Sequence, residues 1–391
     1  MFGAFRIYHR ESAEPSYAGG DMNETVVGSK RTRPKSRSLG WPGAIYAVAI
    51  ASLLGCASKQ SLGTSGVTIL GPGIINDPKN KSLRFDILKY GLKSFCDEMM
   101  TRGVALKLSD DHPVAGRFFA RNCVSDVSDD DSKQTFTIKF SGLGYTWTNL
   151  TRRVGFEVLG SIELSPDFQI ASDKSMYVYF QSRRVETTQM KTVLVESTLA
   201  RGAVALAGAD PDRIGREILE AQVGRGFTVI RANDTGQIEF GIGLVPVGVR
   251  PFHPFNVVSD RPVLANERTE VHTGQQDIVG GFAVDGNDKA LSIVIAVDGA
   301  PNINLAVISS TSAQQLIDRY VHNSGAAPFV EPPRFMQSIP YGTLWKQTVP
   351  VPAGTYSVLL DHATGVSGQA SSEGDDRAAK VDYLVQVVDA P

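Results

Sequence analysis

The sequence predicts an α+β domain, a helix packed with an antiparallel sheet, followed by an all-β sandwich. Three observations carry this. Phe85, Leu88, Leu92, Phe95 and Met99 recur at three- and four-residue steps, the apolar stripe of an amphipathic helix. Strand-like runs then alternate with a second helix up to about residue 244. From Ile278 onward nearly every apolar run reads as a strand bounded by Gly, Pro or Asp turns.

The elements follow in order. The first helix ends where Gly103 supplies a stop. Strands are expected at Thr135–Phe140, Val154–Leu164, Ser175–Arg183 and Met190–Glu196. Met176-Tyr-Val-Tyr-Phe180 has the aromatic and β-branched character of a strand. Asp210-Pro211 is an N-cap and first-turn pair, and a second helix runs from it through Ile214, Ile218 and Leu219 to about Val223. Phe227–Arg231 and Gln237–Leu244 flank Ala232-Asn-Asp-Thr-Gly236, a hairpin with a Gly-containing loop. Pro246, Pro251 and Pro254 mark a hinge. The sandwich strands are Ile278–Val284, Ala290–Val297, Asn302–Ser309, Leu344–Val351, Thr355–Asp361 and Lys380–Val388, with a short helix at about Ser312–Tyr320. Asp285-Gly286 and Asp298-Gly299 are turn pairs. The expected organisation is a leader (1–55), a tether (56–72), an α+β domain (73–255) and a β-sandwich (256–391).

Composition narrows the function. The chain has 391 residues, a formal charge of −2 and 42% hydrophobic residues, an ordinary globular balance. A pI near 6.3 argues against a nucleic-acid partner, which calls for a basic face. Three cysteines do not make a zinc cluster, and no metal site or cofactor is expected.

The strongest local signal is N-terminal. Lys30, Arg31, Arg33, Lys35 and Arg37 form a basic run without an acid, and the uncharged segment Ala44–Gly55 follows. About a dozen apolar residues are too few for a membrane span, which needs roughly 20, and read instead as a secretory signal. Met22 is a more natural start than Met1. Leu53-Leu54-Gly55-Cys56 resembles the lipobox of bacterial lipoproteins. That resemblance implies a diacylglycerol thioether on Cys56, cleavage before it and acylation of the new amine. Leu54 is bulkier than the small residue often found at its position. Removing residues 1–55, with their seven Lys/Arg and four Asp/Glu, leaves 336 residues and moves the formal charge from −2 to −5. Ala57 and Ser58 lack the aspartate that holds many enterobacterial lipoproteins at the inner membrane. The resemblance therefore implies an outer-membrane lipoprotein facing the periplasm, held by several acyl chains. The Ser/Gly/Thr-rich residues 57–72 form its flexible tether.

Two further resemblances concern the folded part. The order of helix, long strands, second helix and strands over residues 82–255 resembles the tubular lipid-binding fold of bactericidal/permeability-increasing protein. It implies an acyl-binding groove. Val351-Pro-Ala-Gly354-Thr-Tyr356 resembles the turn-and-strand of secreted jelly-roll sandwiches, such as pre-peptidase C-terminal modules. Those mostly bind or support.

No Gly-x-Ser-x-Gly elbow, His-Glu-x-x-His or phosphate loop is present. His9, His112, His253, His272, His322 and His362 are scattered, and Asp111-His112 and Asp361-His362 are only sequence neighbours. A triad defined in space stays open. Asp126, Asp129, Asp130 and Asp131 could offer oxygens to calcium but lack the spacing of an EF-hand; a solvated loop is the plainer reading. Asp285-Gly-Asn287-Asp288 reads as turn chemistry. Cys96 and Cys123 remain once Cys56 is acylated. An even pair in an exported chain predicts a disulfide, with two separate buried thiols as the alternative. The expectation is a non-catalytic envelope lipoprotein that binds a lipid or other apolar ligand. The alternatives are an interaction protein that docks on an envelope component and, third, a hydrolase with an unrecognised site.

Overall fold

The apolar stripe folds as two helices rather than one. In the computed structural model they are α1 (Lys81–Gly91) and α2 (Phe95–Arg102). Gly103, at φ +74°, ends α2, and its amide donates to Met99 O at 3.2 Å. Left-handed backbone of this kind favours glycine. The described residues are 73–92, 95–107, 112–128, 135–148, 152–170, 175–197, 227–232, 238–242, 252–257, 263–362 and 378–391, with positions 212, 213, 216 and 261. All belong to the unit Ala49–Pro391. The leader, Cys56, the tether, Asp111 and Asp129–Asp131 lie outside them. So do most of the expected second helix, of which 212, 213 and 216 are helical, and Pro246 and Pro251.

The chain is mostly β. Seven strands form a closed barrel: β1 (Val104–Leu106), β2 (Gly116–Val127), β3 (Phe136–Thr148), β4 (Arg152–Ile170), β5 (Ser175–Val195), β6 (Phe227–Ala232) and β7 (Ile238–Ile242). Sequential neighbours are antiparallel, and a parallel pairing of β1 with β7 closes the ring. The first part is therefore a barrel with short helices, and a helix-plus-sheet description overstates its α content. The expected strands 175–183 and 190–196 are one 21-residue strand. β3 runs eight residues past Phe140, and β2 was not anticipated. Register shifts at three places between β4 and β5 curve the wall.

The helices pack their stripe on this wall. Leu88, Leu92, Phe95 and Met99 join Phe118, Phe136, Phe156, Leu164 and Phe180 in one core. Phe95 meets Phe136 and Phe180 edge-on at 5.3 and 5.7 Å, a geometry that adds to plain burial. Cys96 and Cys123 are disulfide-bonded, 27 residues apart, and tie α2 to β2. Replacing both by alanine is expected to cost about 3 kcal/mol by freeing the unfolded chain. Denaturant midpoints with and without reductant check this, and equal midpoints would refute it.

Eight strands, two more than expected, make the sandwich. They are β8 (Val263–Val271), β9 (Gln276–Val284), β10 (Lys289–Asp298), β11 (Asn302–Ser309), β12 (Phe335–Pro340), β13 (Leu344–Pro350), β14 (Gly354–Asp361) and β15 (Ala379–Asp389). One sheet runs β13-β10-β15-β8 and the other β12-β11-β14-β9. Successive strands alternate between the sheets except β11 and β12, which pair in one, and the topology is an eight-stranded jelly roll. Ile293, Ile295, Ile303, Leu305, Val358, Val381 and Tyr383 fill its core. Helix α3 (Ser310–His322) is capped by Ser309, whose hydroxyl accepts from Ser312 N at 3.2 Å. The segment before β8 is clamped: Asn266 Nδ2 donates to Phe255 O at 2.8 Å, and its Oδ1 accepts from Phe255 N at 3.2 Å.

Candidate functional site

Two features stand out: a buried junction between barrel and jelly roll, and an exposed apolar edge opposite it. The junction begins with Arg117 on β2. Its flanking Gly116 leaves no room for a side chain, because a Cβ there would sit 2.2 Å from Tyr145 O. Arg117 is 3% exposed and reaches across to the jelly roll. Nε and Nη2 grip Asp277 of β9 at 2.7 and 3.0 Å, and Nη2 also donates to Tyr383 OH at 2.8 Å and Glu267 Oε2 at 3.2 Å. Tyr383 OH donates in turn to Glu267. Tyr145 on β3 donates to Asp277 Oδ1 at 2.9 Å and accepts from Ile278 N at 3.1 Å.

The electrostatics follow from burial and pairing. Burial alone would raise the Asp277 and Glu267 carboxyls. The Arg117 charge, with hydrogen bonds to each, outweighs it and holds both below their ordinary values. Burial pushes the Tyr145 and Tyr383 phenols well up. A fork-shaped guanidinium on both oxygens of a carboxylate, with a phenol on one of them, is a latch.

A second arginine fastens α3. Arg153 on β4 donates through Nη2 to Asn323 O at 2.7 Å, Gly325 O at 2.9 Å and Glu196 Oε1 at 3.0 Å. Its guanidinium lies 3.7 Å from the Tyr320 ring centroid. A cation on the carbonyls just past a helix C-terminus also suits the helix dipole. Burial pushes the Tyr320 phenol up to about 12, against the pull of Arg153. The strand and helix approach closely because position 155 is glycine; a Cβ there would lie 2.0 Å from Val321 O. This contact buries the outer face of β4 at Arg153 and Gly155, so the Val154–Gly160 run alternates poorly in sequence.

Between these networks lies a cleft of about 20 Å³, room for a water molecule. It is lined by Trp147, Glu270, His272, Gln275 and Tyr320 among others. His272 Nε2 is 2.8 Å from Glu270 Oε1, and its ring stacks on Trp147. Of the other histidines, His112 is exposed and His322 bridges to Glu157 at 3.1 Å. His362 is buried with Nδ1 3.0 Å from Val271 O. Asp126 lies on β2 rather than in a loop. Asp285–Asp288 forms the β9–β10 turn, where Asn287 Oδ1 accepts from Ala353 N at 2.9 Å.

The exposed edge is the corner where β12 passes to β13. Tyr341 and Leu344 are 59% and 66% exposed and Met336 47%. Phe335 and Trp345 are half-buried and pack inward on the sandwich core, ring centroids 6.1 Å apart. Gly342, at φ +73°, makes the turn, donating to Val297 O at 3.1 Å. Neither this corner nor the two arginines stood out in the sequence. The signal available was thin: a charge inside the apolar run Gly116–Phe119, and three large apolar residues near a Pro-Tyr-Gly turn.

No family model matches the chain, and no curated protein matches it. Among solved structures it is similar to a Clostridium perfringens ZmpB fragment holding the catalytic domain with the CBM51-1 and CBM51-2 domains, at 12% identity and a TM-score of 0.18. That likeness covers 68% of this chain and 31% of the other, so the chain spans under a third of it. It is also similar to the VP2 subviral particle of infectious bursal disease virus, at 13% identity and a TM-score of 0.17, over 69% of this chain and 72% of that one. Neither likeness bears on function.

Proposed function

We propose that the protein is a non-catalytic lipoprotein of the bacterial outer membrane, anchored at Cys56 and facing the periplasm, that docks on another envelope component through the β12–β13 corner. The observation that carries the docking role is Tyr341 and Leu344, 59% and 66% exposed and three residues apart where β12 turns into β13. Exposed large apolar side chains gathered at one place mark interaction sites more often than scattered ones do. The anchor rests on the basic run, the short apolar segment and Leu53-Leu54-Gly55-Cys56. An apolar ligand in the barrel comes second. A sheet closed over a helical stripe supports it, but Phe95, Phe136, Phe168 and Phe180 already occupy that core.

One experiment in cells tests anchor and docking together. Labelled palmitate should enter the protein and be lost in Cys56→Ser. A photo-crosslinking residue at position 341 or 344 should give an adduct with one envelope protein, and the same residue at exposed Asp285 should not. Palmitate retained in Cys56→Ser sinks the anchor. Adducts with phospholipid alone, or none, sink the docking role.

A further inference from the structure

Resting on the docking role above, we infer that β13 accepts an extended acidic segment of another polypeptide as an added strand. β13 ends its sheet in the order β13-β10-β15-β8, so its far side is open among the described residues. The opposite edge of that sheet already takes a single backbone bridge of this kind. Val114 pairs with Thr269 of β8, donating to Arg268 O at 2.8 Å and accepting from Glu270 N at 3.2 Å. β9, the corresponding edge of the second sheet, is covered by α2, whose Thr101 carbonyl abuts Gly281. The barrel therefore takes one side of the sandwich and leaves the β12–β13 side.

Edge strands in natural proteins are usually guarded by bulges, prolines or several charges. β13 has few guards. Its register with β10 runs unbroken from Leu344↔Ala296 to Pro350↔Ala290, its proline comes last, and it carries one charge, Lys346. Beside the open backbone, exposed Leu344 is followed by the polar Lys346, Gln347 and Thr348. Added strands gain affinity from main-chain hydrogen bonds and specificity from alternate side chains. Exposed Leu344 suits an apolar residue on such a strand.

Charge selects the partner. Residues 332–360 hold two cations, exposed Arg334 and Lys346, and no Asp or Glu, in a chain whose formal charge is −2. An acidic strand meets opposite charge here, and a basic one meets repulsion. A membrane is the poorer occupant, because hydrocarbon offers nothing to the unpaired N–H and C=O groups of an edge.

The test uses the full chain carrying Cys56→Ser and labelled ten-residue peptides of alternating Val-Glu or Val-Lys. The Val-Glu peptide should bind in the micromolar range and at least about tenfold more tightly than Val-Lys. Binding should slow hydrogen exchange in 344–349. Lys346→Glu with Arg334→Glu, both at exposed positions, should reverse the preference with Tm unchanged. Equal binding of the two peptides, protection outside 344–349, or binding only to phosphatidylglycerol vesicles overturns the inference. If position 344 still cross-links an envelope protein in cells, such a result leaves the docking role standing. If cross-links and peptide binding both fail, both readings fall.

Discussion

Arg117→Met is expected to destabilise the protein by about 3–5 kcal/mol, the cost of stranding a buried charge. In a chain of this size, that lowers Tm by about 10 °C. The reason lies at the junction. Asp277 is 4% exposed, and without Arg117 its remaining side-chain partner from the barrel is one phenol, that of Tyr145. Glu267 loses the same cation. Adding Asp277→Leu should recover part of the loss, so the two changes together cost less than their sum. A cycle of four denaturant curves checks this, and strict additivity would contradict a direct pair. pH gives a second readout. With Arg117 present, both carboxyls titrate below their unfolded values, so their contribution exists above about pH 4 and is lost as pH falls. In the variant, burial dominates and raises them. Acidification should then favour the folded variant relative to the parent, and the gap between the two should narrow below about pH 5. A gap that widens on acidification would refute the assignment.

Gly281→Val is expected to cost about 4 kcal/mol, combining about 1–3 of backbone strain with about 1–3 of overlap. Gly281 is the extra residue of a bulge in β9, where Phe282 pairs with Tyr356 and Gly280 with Ser357. Its φ is +79°, and a Cβ would stand 2.1 Å from Thr101 O. Thr101 belongs to the last turn of α2, so relief requires moving that helix off the jelly roll. Arg102 would then lose its bond to Leu264 O, 3.2 Å long. Gly274→Val is the control, with a similar φ of +79° and open space around it. It should cost only the backbone strain. Equal losses at both sites would show that the α2 contact contributes nothing.

Local periodicity made much of the fold legible. The stripe from Phe85 to Met99, the Gly103 stop and the strands from Ile278 to Val388 follow from rules acting over a few residues. The even pair of Cys96 and Cys123 likewise pointed to their bond. β2 escaped because its second half, Arg121 to Val127, alternates exposed and half-buried residues and reads as polar loop. β8, with Asn266, Glu267, Arg268 and Glu270, escaped for the same reason. Asp277 was invisible as a partner of Arg117 because 160 residues separate them.

What the sequence by itself determined is where apolar faces and turns must lie, since burial pattern and glycine backbone freedom are local properties. Only the tertiary structure decided which faces meet. Closing the barrel and winding the jelly roll bring Arg117, Tyr145, Glu267, Asp277 and Tyr383 from five strands into one buried network. The same packing covers β8 and β9 and, among the described residues, leaves the outer edges of β12 and β13 open. The energy of a buried charge depends on what surrounds it in space, and so does the exposure of an edge. Neither is a property of any short stretch of chain.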